Sequence, residues 1–144
     1  MTNYEHTQIG YVLICGLLGA AALVGSGTII RNNWIAFVIA AILLLTIAGF
    51  YKLTIKIENE TLRAAFGIGL IRKEVSLVEI ASCEPFRIRW WYGWGIHLTP
   101  RGWLYNVAGW DAVAIRLRIG KEFALGTDEP QALVEAIRRL ASPR

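Results

Sequence analysis

Hydrophobic and polar positions fall into two regimes along this chain. Ile9 to Ile30 is a 22-residue run without a charge, and Trp34 to Tyr51 is an 18-residue run without one. At about 1.5 Å per helical residue they reach about 33 and 27 Å, close to the ~30 Å hydrocarbon core of a bilayer. Arg31, Asn32 and Asn33 separate them as a polar turn. Only Glu5 and Arg31 are charged in the first 51 residues, too few to wet a helix face. The pattern predicts a transmembrane helical hairpin over residues 1–51, with spans at about 9–30 and 34–51. Met1 to Gln8 lacks Lys and Arg, so a cleaved signal peptide is not expected.

From Lys52 the period drops to two. Leu53, Ile55 and Ile57 alternate with Thr54, Lys56 and Glu58, and Leu62, Ala64 and Phe66 alternate again after an Asn59-Glu60 turn. Gly67-Ile68-Gly69 is a second turn, followed by strands at about 71–78 and 80–89. Val113, Ile115, Leu117 and Ile119 form the cleanest alternation; Gly120-Lys121 turns it into a strand with Phe123 and Leu125. Thr127-Asp128-Glu129-Pro130-Gln131 then reads as a helix start. Leu133, Ile137, Leu140 and Ala141 give that helix one apolar face. The expected fold is therefore a membrane hairpin plus a mainly-β domain over 52–144. About seven short antiparallel strands would form a partly closed barrel capped by the C-terminal helix, which hides sheet edges.

Composition and charge sharpen this picture. The chain of 144 residues is 55% hydrophobic and 18% charged, against about 45–50% and 25% in soluble domains. Two Cys and 16 aromatic residues exclude a disulfide framework and a disordered chain. Lys52, Lys56 and Arg63 follow the second apolar run, whereas Arg31 alone marks the loop, so charge bias predicts both termini in the cytoplasm. Neither run contains an ionisable Asp, Glu, Lys, Arg or His, which removes ion paths and proton relays. Small residues four apart, such as Gly16 with Ala20, suit close helix packing within the hairpin or between copies.

Candidate chemistry is sparse. Gly67-Ile68-Gly69 lacks the rest of a dinucleotide fingerprint, and neither a phosphate-binding Gly-Lys loop nor a Gly-x-Ser-x-Gly elbow occurs. His6 and His97 are isolated, and Cys15 and Cys83 lie 68 positions apart, so no zinc set forms. No catalytic residue, metal ligand or cofactor is expected. The concentrated signal is aromatic: five of six Trp lie between Trp90 and Trp110. Arg87, Arg89 and Arg101 interleave with Trp90, Trp91, Tyr92 and Trp94, and these seven residues are the candidate membrane-interface or partner-binding site. Trp favours the headgroup level of a membrane and Arg snorkels to phosphates. Flanking Gly93 and Gly95 suggest that Trp94 projects with Trp90 and Trp91, while Trp103 and Trp110 pack inside. A nucleic-acid surface fits poorly with a tethered domain of net charge +4.

The motifs Phe66-Gly-Ile-Gly-Leu-Ile-Arg-Lys73, Trp90-Trp-Tyr-Gly-Trp-Gly95, Thr99-Pro-Arg-Gly-Trp-Leu-Tyr-Asn-Val107 and Gly126-Thr-Asp-Glu-Pro130 resemble those of bacterial pleckstrin-homology-like membrane proteins. That resemblance implies two inner-membrane spans followed by a pleckstrin-homology-like domain from about Lys52. It does not carry phosphoinositide recognition with it, because Glu58 and Glu60 sit on the first hairpin, where such domains place cations. The expected function is non-enzymatic: a membrane-anchored module binding a lipid surface or protein partner at the cytoplasmic face. A homo-oligomeric membrane scaffold, or an accessory subunit of a membrane enzyme complex, is the alternative.

Overall fold

A computed structural model describes residues 2–31 and 33–141. Asn32 of the expected polar turn, and the last three residues of the expected 52–144 domain, lie outside them. The chain opens with strand β1 (Thr2–Ile9), which the hydrophobic pattern does not reveal. Helices α1 (Tyr11–Arg31) and α2 (Trp34–Phe50) follow and pack against each other. Strand β2 (Lys52–Glu58) then returns antiparallel to β1, from Ile9 opposite Lys52 to Thr2 opposite Glu58. The helix pair is thus inserted in a β-hairpin. Its base is closed by the Gly10 amide, which donates to the Tyr51 carbonyl at 2.9 Å. The Asn33 side chain caps α2 by accepting from the Ile35 amide at 3.0 Å.

Among the described residues no helix is long and apolar enough to cross a membrane. This overturns the transmembrane hairpin, the two-span inner-membrane placement and the cytoplasmic position of both termini that depended on it. The first expected span loses Ile9 to β1, and its most apolar part ends before Gly25-Ser26-Gly27. Helix α2 has 17 residues, about 26 Å at the usual helical rise, short of the ~30 Å core.

The expected partly closed barrel of about seven strands is also corrected. Among the described residues nine strands form two open sheets. The first sheet runs β1-β2-β3-β4, with β3 (Thr61–Phe66) and β4 (Ile71–Ser76). Asn59 and Glu60, both at positive φ, make the tight β2–β3 turn. A short 3-10 turn at Leu77–Glu79 leads into the second sheet, with β5 (Ile80–Arg87), β6 (Gly95–Thr99), β7 (Gly102–Asn106), β8 (Asp111–Leu117) and β9 (Glu122–Gly126). Its order is β5-β8-β9-β7-β6, and β7 pairs parallel to β9. A barrel built by hairpins alone has no such parallel pair, and closure would need the edges at β1, β4, β5 and β6 to meet.

The main core lies between the sheets. Leu53, Ile55, Ile57, Leu62, Ala64 and Phe66 pack towards Val113, Ile115, Phe123 and Leu125. Helix α3 (Pro130–Ala141) closes the core with Leu133, Val134, Ala136 and Ile137, and in the turn before it the Thr127 hydroxyl accepts from the Glu129 amide at 3.1 Å. The expected C-terminal helix is present, but it packs on β5, β8 and β1 of open sheets.

Registers and contacts place four segments at one end of the body. The β3–β4 turn passes so close to the C-terminal end of α2 that a side chain at Gly67 would meet the Gly49 carbonyl oxygen at 2.5 Å. Phe50 packs edge-on against Phe66, with ring centroids 5.5 Å apart. The β7–β8 loop lies beside the start of α1, where the Gln8 side-chain amide donates to the Ala108 carbonyl at 3.1 Å. The β5–β6 loop joins this end because the Ile88 amide donates to the Trp110 carbonyl at 2.6 Å.

Candidate functional site

The connection from β5 to β6 links opposite edges of the second sheet, so it crosses the sheet's outer face. Ile88 and Tyr92 from this loop, with Phe86, cover the outward-pointing Leu104, Ala112 and Ala124 in a second small core. Phe86 and Ala112 are partners across β5 and β8, and Leu104 and Ala124 are partners across β7 and β9. The loop includes a 3-10 turn at Trp90–Tyr92, and Gly93 then takes φ +60 to release the chain towards β6.

This path brings Arg87, Arg89, Tyr92 and Arg101 together. With Phe86, Ile88 and Leu104 they line a half-open cleft of about 440 Å³. Arg101, from the β6–β7 turn, stands 5.1 Å from the Phe86 ring centroid and donates to the Glu84 carboxylate. Arg89 lies 4.9 Å over the Trp91 ring. Arg87-Ile88-Arg89 also lines a shallower groove with Trp90, Trp91 and Trp110. Six of the seven expected site residues therefore line one of two adjoining concavities.

The seventh, Trp94, behaves differently from its expected projection. It packs against Trp110 with ring centroids 5.8 Å apart, and its indole nitrogen is enclosed without a hydrogen-bond partner. Trp90 and Trp91 are 75% and 53% exposed, as a projecting pair would be. Trp103, expected inside, is exposed on the face of β7 opposite the loop, beside Leu98 of β6. Alternation explains it: Leu104 takes the adjacent place under the loop. Ile68 and Leu70, exposed in the β3–β4 turn, went unnoticed as site candidates. Their signal was available, since two large aliphatic residues in a glycine turn bury nothing locally.

The ionisable groups elsewhere serve packing. Burial pushes the Cys83 thiol up, partly offset by the nearby Arg138 cation, so it is a poor nucleophile. Burial also raises the Tyr105 phenol. Burial, then the Glu129 and Asp128 carboxylates, pushes Tyr4 up to about 12. His6 ties β1 to the start of α3, with Nε2 2.5 Å from Asp128 and Nδ1 3.3 Å from Glu129. Among the described residues no three His, Cys, Asp or Glu side chains are grouped to hold a metal.

No family model matches the chain, and no curated protein or solved structure is significantly similar to it. The pleckstrin-homology-like resemblance is corrected accordingly. The short glycine and tryptophan motifs that suggested it serve turns and a crossing loop in a four-plus-five-stranded architecture, without the two spans the resemblance implied.

Proposed function

We propose that the protein is a non-enzymatic docking module whose helix-bearing end lies against a lipid surface. One observation carries this reading: four large apolar residues left exposed on the two-sheet body border the base of the helix pair. Ile68 and Leu70 lie beside the C-terminal end of α2, and Trp90 and Trp91 beside Trp110 and the β7–β8 loop. Exposed apolar residues gathered at one end in this way suit an interaction site. Helices α1 and α2 leave from the same end with exposed Leu, Ile, Val and Phe along their length, and α2 buries no residue. A lipid surface suits aliphatic, Trp and Arg side chains together. At the far end Val78 and Ile119 are exposed on either side of Arg118, whose amide and side chain donate to the Glu79 and Val78 carbonyls.

The test is depth-selective quenching of Trp fluorescence. The full chain is reconstituted in vesicles of phosphatidylcholine brominated near the headgroup, and single Trp→Phe variants are compared. Substituting Trp90 or Trp91 should each remove a clear share of the quenchable emission, above a constant background from exposed Trp34, and substituting Trp103 little. Equal losses at all three positions, with unchanged circular dichroism, would count against a lipid-facing end.

A second reading rests on the free edge of β6. Leu98 and Trp103 are exposed cross-strand partners beside that edge, which suits pairing with a second copy. Cross-linking through Cys introduced at Leu98 would yield a covalent dimer on that reading, and monomer on the lipid reading alone.

A further inference from the structure

The cleft beneath the β5–β6 loop carries more positive charge than its surroundings neutralise. Of its three arginines, Arg101 is held by Glu84 and lies 3.9 Å from Glu122. Arg89 rests on the Trp91 ring, a contact that orients a guanidinium while leaving its in-plane N–H groups available. Arg87 stands opposite Asp111 in the β5–β8 register. Even so, no carboxylate among the described residues reaches ion-pair distance of Arg87 or Arg89. These two cations frame Ile88, and the three residues line both the cleft and the groove of Trp90, Trp91 and Trp110. Tyr92, Phe86 and Leu104 supply the cleft's aromatic and aliphatic walls.

A ligand for this arrangement is anionic where it meets the guanidinium pair and apolar where it meets the indoles. Two guanidinium forks suit the several oxygens of a phosphate, which can accept paired N–H donors. We propose that this cleft is a phosphate site, taking the phosphate group of an anionic phospholipid on Arg87 and Arg89. Trp90 and Trp91 then lie against its glycerol and upper acyl chain. The assignment rests on the lipid-facing reading above and adds a headgroup preference to it. A soluble phosphoester shares the same chemistry, so the experiment separates the two sources.

The full chain is reconstituted in phosphatidylcholine vesicles containing a small, equal mole fraction of either brominated phosphatidic acid or brominated phosphatidylcholine. Wild-type Trp emission should be quenched several-fold more by the brominated phosphatidic acid. The double variant Arg87→Gln/Arg89→Gln should equalise the two lipids, and Arg89→Lys should keep part of the difference. A charge-matched control, Lys56→Gln/Arg63→Gln on the first sheet, should leave the difference intact. Soluble glycerol phosphate that abolishes the wild-type difference would show that the site also accepts a free phosphoester.

Strong, equal quenching by both lipids leaves the lipid-facing end standing and overturns the phosphate site. A difference that survives in the Arg87/Arg89 variant, or falls equally in the Lys56/Arg63 control, overturns it as well, because diffuse charge would then suffice. If neither lipid quenches, but glycerol phosphate changes Trp emission in wild type and not in the double variant, the phosphate site stands with a soluble source. In that case it is the lipid-facing reading that fails.

Discussion

The two sheets use their faces differently. In the first, β2 and β3 bury every second residue, and the opposite face holds exposed or half-buried side chains such as Lys56 paired with Glu5 at 2.9 Å and Arg63 with Glu74 at 2.9 Å. In the second, β8 buries four consecutive residues, Ala112 to Ile115, and β9 buries Phe123 to Gly126. The difference comes from one crossing connection. The β5–β6 loop roofs the outer face of the second sheet, whereas no described segment crosses that of the first. The lesson concerns cost: roofing the second face buries small residues beneath the loop and leaves Trp90 and Trp91 on top of it, exposed. The roofed face holds a cleft between sheet and loop, and the bare face stays a solvated surface.

The sharpest way to break this comparison is at Gly102, where β7 begins. Its φ is +86, and a side chain there would run into the Glu122 carbonyl oxygen at the parallel β7–β9 pairing. Gly102→Ala should destabilise by about 3 kcal/mol or more, combining strain with overlap. Gly120→Ala, also at positive φ (+85) but in open space, should cost about 1 kcal/mol. Chemical denaturation followed by circular dichroism measures both.

Next in size is the roofed core itself. Leu104 is fully buried under the loop, so Leu104→Ala should cost about 2–5 kcal/mol. Its neighbour Trp103 is 51% exposed, and Trp103→Phe should cost under about 1 kcal/mol. Similar costs for the two, read from melting curves, would mean that the outer face is not roofed.

A smaller effect belongs to alkaline pH. The folded chain holds the Tyr4 proton up to about 12, above the ordinary value of 10.0. Between these values the unfolded chain releases that proton and the folded one keeps it. Stability linked to Tyr4 is therefore whole below pH 10 and falls as pH rises towards 12. Tyr4→Phe should flatten part of the alkaline fall in melting temperature; an unchanged slope would show that Tyr4 is not protected. The smallest effect is expected at Arg101. It is about half-exposed and pairs with exposed Glu84, so Arg101→Gln should change stability by under about 1 kcal/mol in a urea titration.

How much of this was legible follows the same division. The first sheet beyond β1, the β8–β9 hairpin and α3 are plain in the sequence because each has one buried face and a clean period. Strand β1 is not, since its inward residues are Tyr4, His6 and Gln8, which show no apolar alternation. Strands β6 and β7 are obscured because the Trp-rich segment places large apolar residues on both faces, as Trp103 and Leu104 do in succession. The residues of the cleft were visible as a cluster of Arg and aromatic side chains. Their division into a roof, a lining and an exposed pair was not, because it depends on β5 and β6 lying at opposite edges of one sheet. The apolar runs were legible as helices, but their termini were not: Ile9 belongs to a strand and α2 stops at Phe50.

The central claim is that one end of the body faces lipid and the other faces water. Nitroxide labels at Leu70 and Ile119 test it directly, each introduced as Cys into a full-length Cys15→Ala/Cys83→Ala background reconstituted in vesicles. Both residues are highly exposed, but Leu70 lies beside the helix pair and Ile119 in the turn after β8 at the opposite end. Relaxation by a water-soluble nickel complex should be strong at Ile119 and weak at Leu70, with the reverse order for oxygen, which concentrates in lipid. Equal accessibility to the nickel complex at the two positions would contradict the account.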